Sequence, residues 1–209
     1  TSIKLLGLGI APVLDSFKKG SITNRNSLIE QLEIAVNEAE IMAGRKIDSA
    51  YMAITGDHIR CMNTQGAIAL NRNKTNGTND NKPISLYDIQ RVLELTQGIA
   101  LPPDRDILHT IPQEFIVDTL EKIDNPIGLT GKRLEGHVHL VTASTTAMKN
   151  LIESAEELGI NINGLVFKPL ASAMPALTKD EIKLGVSIID IGSTTTSIAV
   201  YNEGSIRHS

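Results

Sequence analysis

The sequence has no tryptophan, a single cysteine and very few aromatic residues, and each shortage narrows the field. Aromatic residues make up 3% of the 209 residues while hydrophobic residues make up 41%. Any core must therefore be built from Ile, Leu, Val and Ala, in an amount that suits one or two packed domains. With Cys61 alone, an intrachain disulfide and a cysteine-built zinc site are both excluded, which fits a reducing compartment. No apolar run approaches the roughly 20 residues that cross a membrane as a helix. The opening residues, TSIKLLGLGIAPV, lack the cationic stretch that begins a signal peptide. The formal net charge of -4 leaves no basic excess for a phosphodiester backbone, so no nucleic-acid partner is expected. There is no initiator methionine, and the chain opens at once in a strand-like segment. We therefore expect a piece of a longer protein.

What is present alternates between strand and helix signals. Residues 2–10 read as a strand. In 26–43, Leu28, Leu32, Ala35, Val36, Ala39 and Met42 recur near the helical period and make one apolar stripe; Asn26 is the expected N-cap and Gly44 the stop. Residues 49–55 read as a short buried strand, followed by an extended stretch bent near Gly66. The polar run NRNKTNGTNDNKP, 71–83, reads as a surface connection and a domain boundary. After it, Ser85 and Asp88 form a capping-box-like start to a helix whose apolar face is Leu86, Ile89, Val92 and Leu93. Two strands follow, 106–118 and 135–144. Pro112 lies inside the first and removes a ladder donor, so that strand is expected at an edge or at a bulge. A second helix carries Met148, Leu151, Ile152, Ala155 and Leu158 on one face and ends at Gly159. The segment 161–167 reads as a strand, and 170–185 as a helix bent at Pro175. The order implies an α/β or α+β chain.

The last 25 residues, GVSIIDIGSTTTSIAVYNEGSIRHS, carry the chemistry. An apolar strand delivers Asp190 to its end. Gly192 lets the backbone turn and approach a ligand closely. Ser193, Thr194 and Thr195 then offer hydroxyl and backbone N–H groups that can ring an anion. A carboxylate meets phosphate favourably only through a cation, and hydrated Mg²⁺ suits the role because it needs few protein ligands. This is not a Walker loop, since G-x-x-x-x-G-K-[ST] occurs nowhere. A tight turn with an exposed aspartate remains the plain structural alternative.

This segment resembles the second phosphate hairpin of the actin-like ATPases. Together with HTIPQEFIVD, NPIGLTGKRLEGHVHLVTAS and KNLIESAEELGININGLVFKPLASAMPALTKDEIKLGV, it is similar to the FtsA family of bacterial cell-division proteins. The resemblance implies an α/β, actin-like (ribonuclease H-like) ATPase lobe with an inserted α+β subdomain of the 1C, or SHS2, type. Residues 1–83 would begin the base subdomain 1A, 84–161 would be the insertion, 162–184 would return to the base and 185–209 would open the second lobe, 2A. It also implies ATP and Mg²⁺ as cofactors, with Asp190 orienting Mg²⁺ or the attacking water and Gly192, Ser193, Thr194 and Thr195 lining the β- and γ-phosphates. Ser193 and Thr194 stand where the family's usual Asp-x-Gly-Gly-Gly-Thr has glycines, and Ser197 replaces a common acidic residue. These departures put rapid hydrolysis in doubt.

The implied protein is a scaffold with at most weak hydrolysis, cytoplasmic and at the inner face of the inner membrane at the division septum. It would polymerise with itself, contact FtsZ and the membrane through regions outside these residues, and meet other division proteins through the insertion. A pilus-assembly protein of the PilM type is the alternative on the same fold, and a kinase or chaperone ATPase is the enzymatic one. His109, Glu114, Asp118, His137 and His139 fall among strands without a ligand spacing, so no metal site is assigned to them. Arg133 reads as a solvated turn residue, and Gln113–Glu114 as part of the insertion's structural signature. Because the resemblance puts the first phosphate loop ahead of residue 1, these 209 residues are expected to bind Mg-ATP weakly or not at all. Isothermal titration calorimetry showing micromolar binding would contradict that expectation.

Overall fold

In the computed structural model, which describes residues 4–13, 15–70 and 82–209, eleven strands and five helices form among the described residues. A small hairpin, β1 (Phe17–Lys18) and β2 (Ser21–Ile22), leads into α1 (Arg25–Ala43). The cap lies two residues before the expected one. Asn24, in extended conformation, accepts from the N–H of Ser27, whereas Asn26 is already helical. Gly44 ends the helix in the left-handed region, as its position predicts. Residues 4–10 form no strand. The Ile10 N–H goes to Glu38 Oε2 at 3.0 Å, and Leu5, Leu8 and Ile10 face solvent.

The base is a parallel pair, β3 (Ser49–Ile54) with β8 (Asn161–Phe167). Helix α1 and α3 (Thr145–Glu156) cover it through Leu28, Ile54 and Leu151, with Leu32, Met148 and Leu165 packed around them. The long crossover that a parallel pair requires is here an entire second layer. Strands β4 (Arg60–Ala69), β5 (Arg105–Val117), β6 (Leu120–Ile123) and β7 (Arg133–Ser144) form an antiparallel sheet in the order β4-β7-β5-β6. Helix α2 (Leu86–Thr96) lies on it. Asp88 accepts from both the N–H and the hydroxyl of Ser85, closing the expected cap. Val92 is fully buried and Ile89 and Leu93 partly so, but Leu86 is exposed.

This layer corrects the expected boundaries. Strand β4, assigned from sequence to the base, pairs with β7 through ten consecutive residues from Arg60–Thr142 to Ala69–Arg133. The insertion therefore starts near residue 60, ahead of 84. Helix α3, assigned to the insertion, packs on the base instead. Gly66 does not bend β4, since the register runs through Gly66–Gly136 unbroken. Its role is close approach: a Cβ there would lie 3.1 Å from the Thr96 backbone nitrogen of α2. Strand β5 is bulged, with the register shifting between Pro112 and Glu114. It is flanked by β7 and β6, so the outer strands are β4 and β6. The bulge turns Gln113 inward, where Nε2 donates to Ile206 O at 2.7 Å.

The chain closes with α4 (Lys168–Ala176), α5 (Lys179–Leu184) and an antiparallel sheet of β9 (Val186–Ile191), β10 (Thr196–Asn202) and β11 (Ser205–His208). The expected bent helix is two helices. After Pro175 the chain breaks at Leu177, and Thr178 with Glu181 caps the second helix reciprocally. Ala173, Ala199, Tyr201 and Ile206 make the core beneath them. Polar contacts tie β11 to the inserted layer. Asn63 Nδ2 donates to Arg207 O at 3.0 Å, and the buried His139 lies 2.6 Å from Asn63 Oδ1 and 2.8 Å from Ser209 Oγ.

Leu134 is fully buried in the inserted layer. Leu134→Ala should cost about 2–5 kcal/mol in urea unfolding, while Leu86→Ala, at an exposed position, should stay within about 0.5 kcal/mol. Burial pushes the His139 imidazole down to about 4 from its ordinary 6.5, and burial lowers His109 too. Below pH 6.5 the unfolded chain takes up a proton at His139 that the folded chain refuses until about pH 4. Stability should therefore be lost as pH falls through that window. A melting curve against pH should show the fall, and His139→Gln, less stable at neutral pH, should show a shallower one.

Candidate functional site

Period-two alternation decides where Asp190 points. Along β9, Val186, Ile188 and Asp190 are partly buried while Ser187, Ile189 and Ile191 are exposed. The buried face looks onto α4. There Lys168 and Ser172, one helical turn apart on the same side, meet the carboxylate. Lys168 Nζ is 2.9 Å from Oδ1 and Ser172 Oγ donates to Oδ2 at 3.0 Å. The Lys168 hydrogen bond, followed by that of Ser172, holds the Asp190 carboxyl below its usual range. The helix has no side-chain cap of its own, so a carboxylate beside its first turn is also favoured by the helix dipole.

The turn beyond Asp190 is short. Ile191 pairs with Thr196, and within the four residues between them the Gly192 N–H donates to Thr195 O at 2.9 Å. A Cβ on Gly192 would lie 3.1 Å from that same oxygen, so the turn closes tightly because this residue lacks one. Ser193 and Thr194 are exposed and Thr195 half-buried. Residues 192–195 form one wall of a cleft of about 260 Å³. The opposite wall is Gly20, Ala53, Ile54 and Thr55, with Leu151 and Lys168 between. Both parallel strands end here, β3 at Ile54 and β8 at Phe167. The carboxyl ends of parallel strands are where open α/β sheets take their ligands.

The structure thus brings Gly192, Ser193, Thr194 and Thr195 to one cleft, but turns Asp190 behind them towards α4. Among the described residues that line the cleft, Lys168 is the single charged one. Sequence reasoning missed it, along with Ser172 and Thr55. The signal available was the spacing in KPLAS, which puts Lys168 and Ser172 on one helical face. Ser197 bridges the cleft: its Oγ is 3.1 Å from Thr55 Oγ1, joining the end of β3 to β10. The other polar candidates are spoken for. His109 Nε2 accepts the Phe167 N–H at 2.9 Å, and His137 sits between Glu114 (3.1 Å) and Glu135 (3.0 Å). Arg133 pairs with Glu135, and Asp118 accepts from the N–H groups of Lys132 and Arg133.

A nucleotide and Mg²⁺ fit this arrangement unequally. The exposed hydroxyls of the turn and the ammonium beside them suit a phosphate. Asp190 suits a divalent cation poorly, because its charge is already matched by Lys168 and both its oxygens are engaged. Among the described residues no group of three His, Cys, Asp or Glu side chains could hold a metal, and no helix is long and apolar enough to cross a membrane.

Comparison with known proteins bears on the fold and the family. The chain matches a family model described as "SHS2 domain inserted in FTSA" over residues 56–142, which agrees with the start of the inserted sheet near residue 60. It is 37% identical over 206 residues to the cell division protein FtsA of Pseudomonas aeruginosa, covering 99% of this chain and 47% of that protein. To FtsA of Neisseria meningitidis it is 38% identical with the same coverage, and to that of Escherichia coli 34%. A solved structure described as "PilM-PilN type IV pilus biogenesis complex" superposes with a TM-score of 0.64 at 15% identity, covering 94% of this chain and 51% of that one. That likeness shows a shared fold alone. Identity of 34–38% along 99% of the chain, with the inserted layer matched in its own right, shows that the chain belongs to the FtsA family of cell-division proteins, spanning about half the length of the relatives it matches.

Proposed function

We propose that the chain is the nucleotide-facing part of an actin-like cell-division scaffold. In this reading ATP binds between the two lobes and biases their closure, and closure governs assembly of the protein with itself. The observation that carries the reading is the position of residues 192–195, a phosphate-type turn set at the cleft into which the carboxyl ends of β3 and β8 open. Family membership supports the remainder as an expectation: contact with FtsZ and with the inner membrane through regions outside these residues, recruitment of other division proteins by the inserted layer, and location at the cytoplasmic face of the septum. The inserted sheet offers two outer strands, β4 and β6, and unpaired strand edges are ready sites of association.

The scaffold reading expects slow turnover at most. A general base needs a free carboxylate or imidazole within reach of the reacting atoms. Asp190 is engaged by Lys168 and Ser172, and the described residues that line the cleft include no acid or histidine. The PilM-type alternative shares the fold, but its 15% identity is outweighed by the 34–38% identity to FtsA proteins.

Affinity capture with the full-length protein tests the reading. FtsZ should be recovered, and recovery of pilus-assembly proteins without FtsZ would move the chain to the alternative. In the same preparation, phosphate release from ATP should be slow. Sustained phosphotransfer to a small-molecule acceptor would sink the scaffold reading.

A further inference from the structure

The cleft contains a positive charge that the resemblance to the family does not predict, and that charge is paired with the acid that would hold a metal. Lys168 is the first residue of α4, immediately after the carboxyl end of β8. Its ammonium group reaches the turn: a Cβ built on Gly192 would stand 4.0 Å from Nζ. An ammonium has three donors. One is given to Asp190 at 2.9 Å, which leaves two beside the turn. The Lys168 side chain is 37% exposed, so it reaches the cleft without being sealed in.

Electrostatics then separates two ways of holding phosphate. A metal-dependent site needs a carboxylate facing the ligand, with the cation between them. Here the Asp190 carboxylate is neutralised from the side of α4, and a hydrated divalent cation placed next to it would be repelled by the ammonium. A metal-free site needs fixed positive charge and N–H or O–H donors at the phosphate. Lys168, Ser193, Thr194 and Thr195 line the same cleft, and a lysine acting as a point charge is a common phosphate binder.

We propose that Lys168 Nζ, in place of a divalent cation held by Asp190, supplies the positive charge that meets the phosphates of a nucleoside triphosphate in this cleft, so that nucleotide binding does not require Mg²⁺. Asp190 acts as a positioning residue in this arrangement. Itself held by the Ser172 hydroxyl, it fixes the ammonium end of the Lys168 side chain beside the turn. The inference rests on the nucleotide-binding reading above and specifies its chemistry.

The test is equilibrium binding of ATP to the full-length protein, in excess EDTA and in excess MgCl₂, for wild type, Lys168→Gln and Lys168→Arg. Wild type should bind with affinities that differ by less than about threefold between the two conditions. Lys168→Gln loses a charge-assisted contact and uncovers the Asp190 carboxylate. It should lose about tenfold or more in EDTA and recover in MgCl₂. Lys168→Arg should keep metal-free binding, and all three proteins should melt alike by circular dichroism, which separates loss of charge from loss of fold. Wild-type binding that collapses in EDTA, or a Lys168→Gln variant that binds ATP in EDTA as wild type does, would overturn the proposal while leaving the nucleotide-binding reading intact. Absence of ATP binding to wild type under both conditions would overturn both.

Discussion

The parallel pairing of β3 with β8 is the constraint on which the rest of the structure depends. Parallel neighbours cannot be joined by a tight turn, and here the connection contains the whole inserted layer. Strand β4 carries the chain out, β7 brings it back beside β4, and α3 completes the return by packing over the base. The same pairing aligns the carboxyl ends of two strands. Both the cleft and the start of α4 exist where they do because β8 ends beside β3. If that pair slipped by one residue, every side chain on it would change face and Lys168 would leave the turn.

Local patterns were legible where the physics is local. The part of the α1 stripe formed by Leu28, Leu32, Ala35, Val36 and Ala39, the stop at Gly44 and the cap formed by Ser85 and Asp88 depend on residues a few positions apart, and each stands in the fold, although Met42 at the end of the stripe is exposed. The errors share one cause. Strand β4 reads as a mere extended stretch because its partner, β7, lies some 70 residues away, and nothing in RCMNTQGAIA names that partner. Strand β6 is only four residues long and hides in a stretch rich in turn formers. Gly66 looks like a bend because a glycine within a strand usually weakens it, yet its neighbour is a helix that only three-dimensional packing supplies.

The candidate site divides in the same way. The turn at 192–195 is contiguous, and hydroxyls around a glycine are visible by inspection. Its electrostatics are not contiguous. Lys168 and Asp190 are 22 residues apart, and two separate periodicities are needed to see that they meet: alternation along β9, which sends Asp190 inward, and the helical turn of α4, which sets Lys168 above Ser172. A resemblance transfers the role of a residue along with its letter. Here the letter at position 190 is retained while its surroundings have given it a different partner.

Strand β7 has a further consequence. It is buried along most of its length, from Leu134 in the core of the inserted layer to Ala143 at its other end. It pairs with β4 through ten residues without a register break and passes directly into α3, whose N-cap is Ser144. Leu151, two turns further on, stands in the cleft wall. The chain from Leu134 to Leu151 thus runs from the core of the inserted layer to the wall of the cleft as one strand followed directly by one helix, with no loop between them.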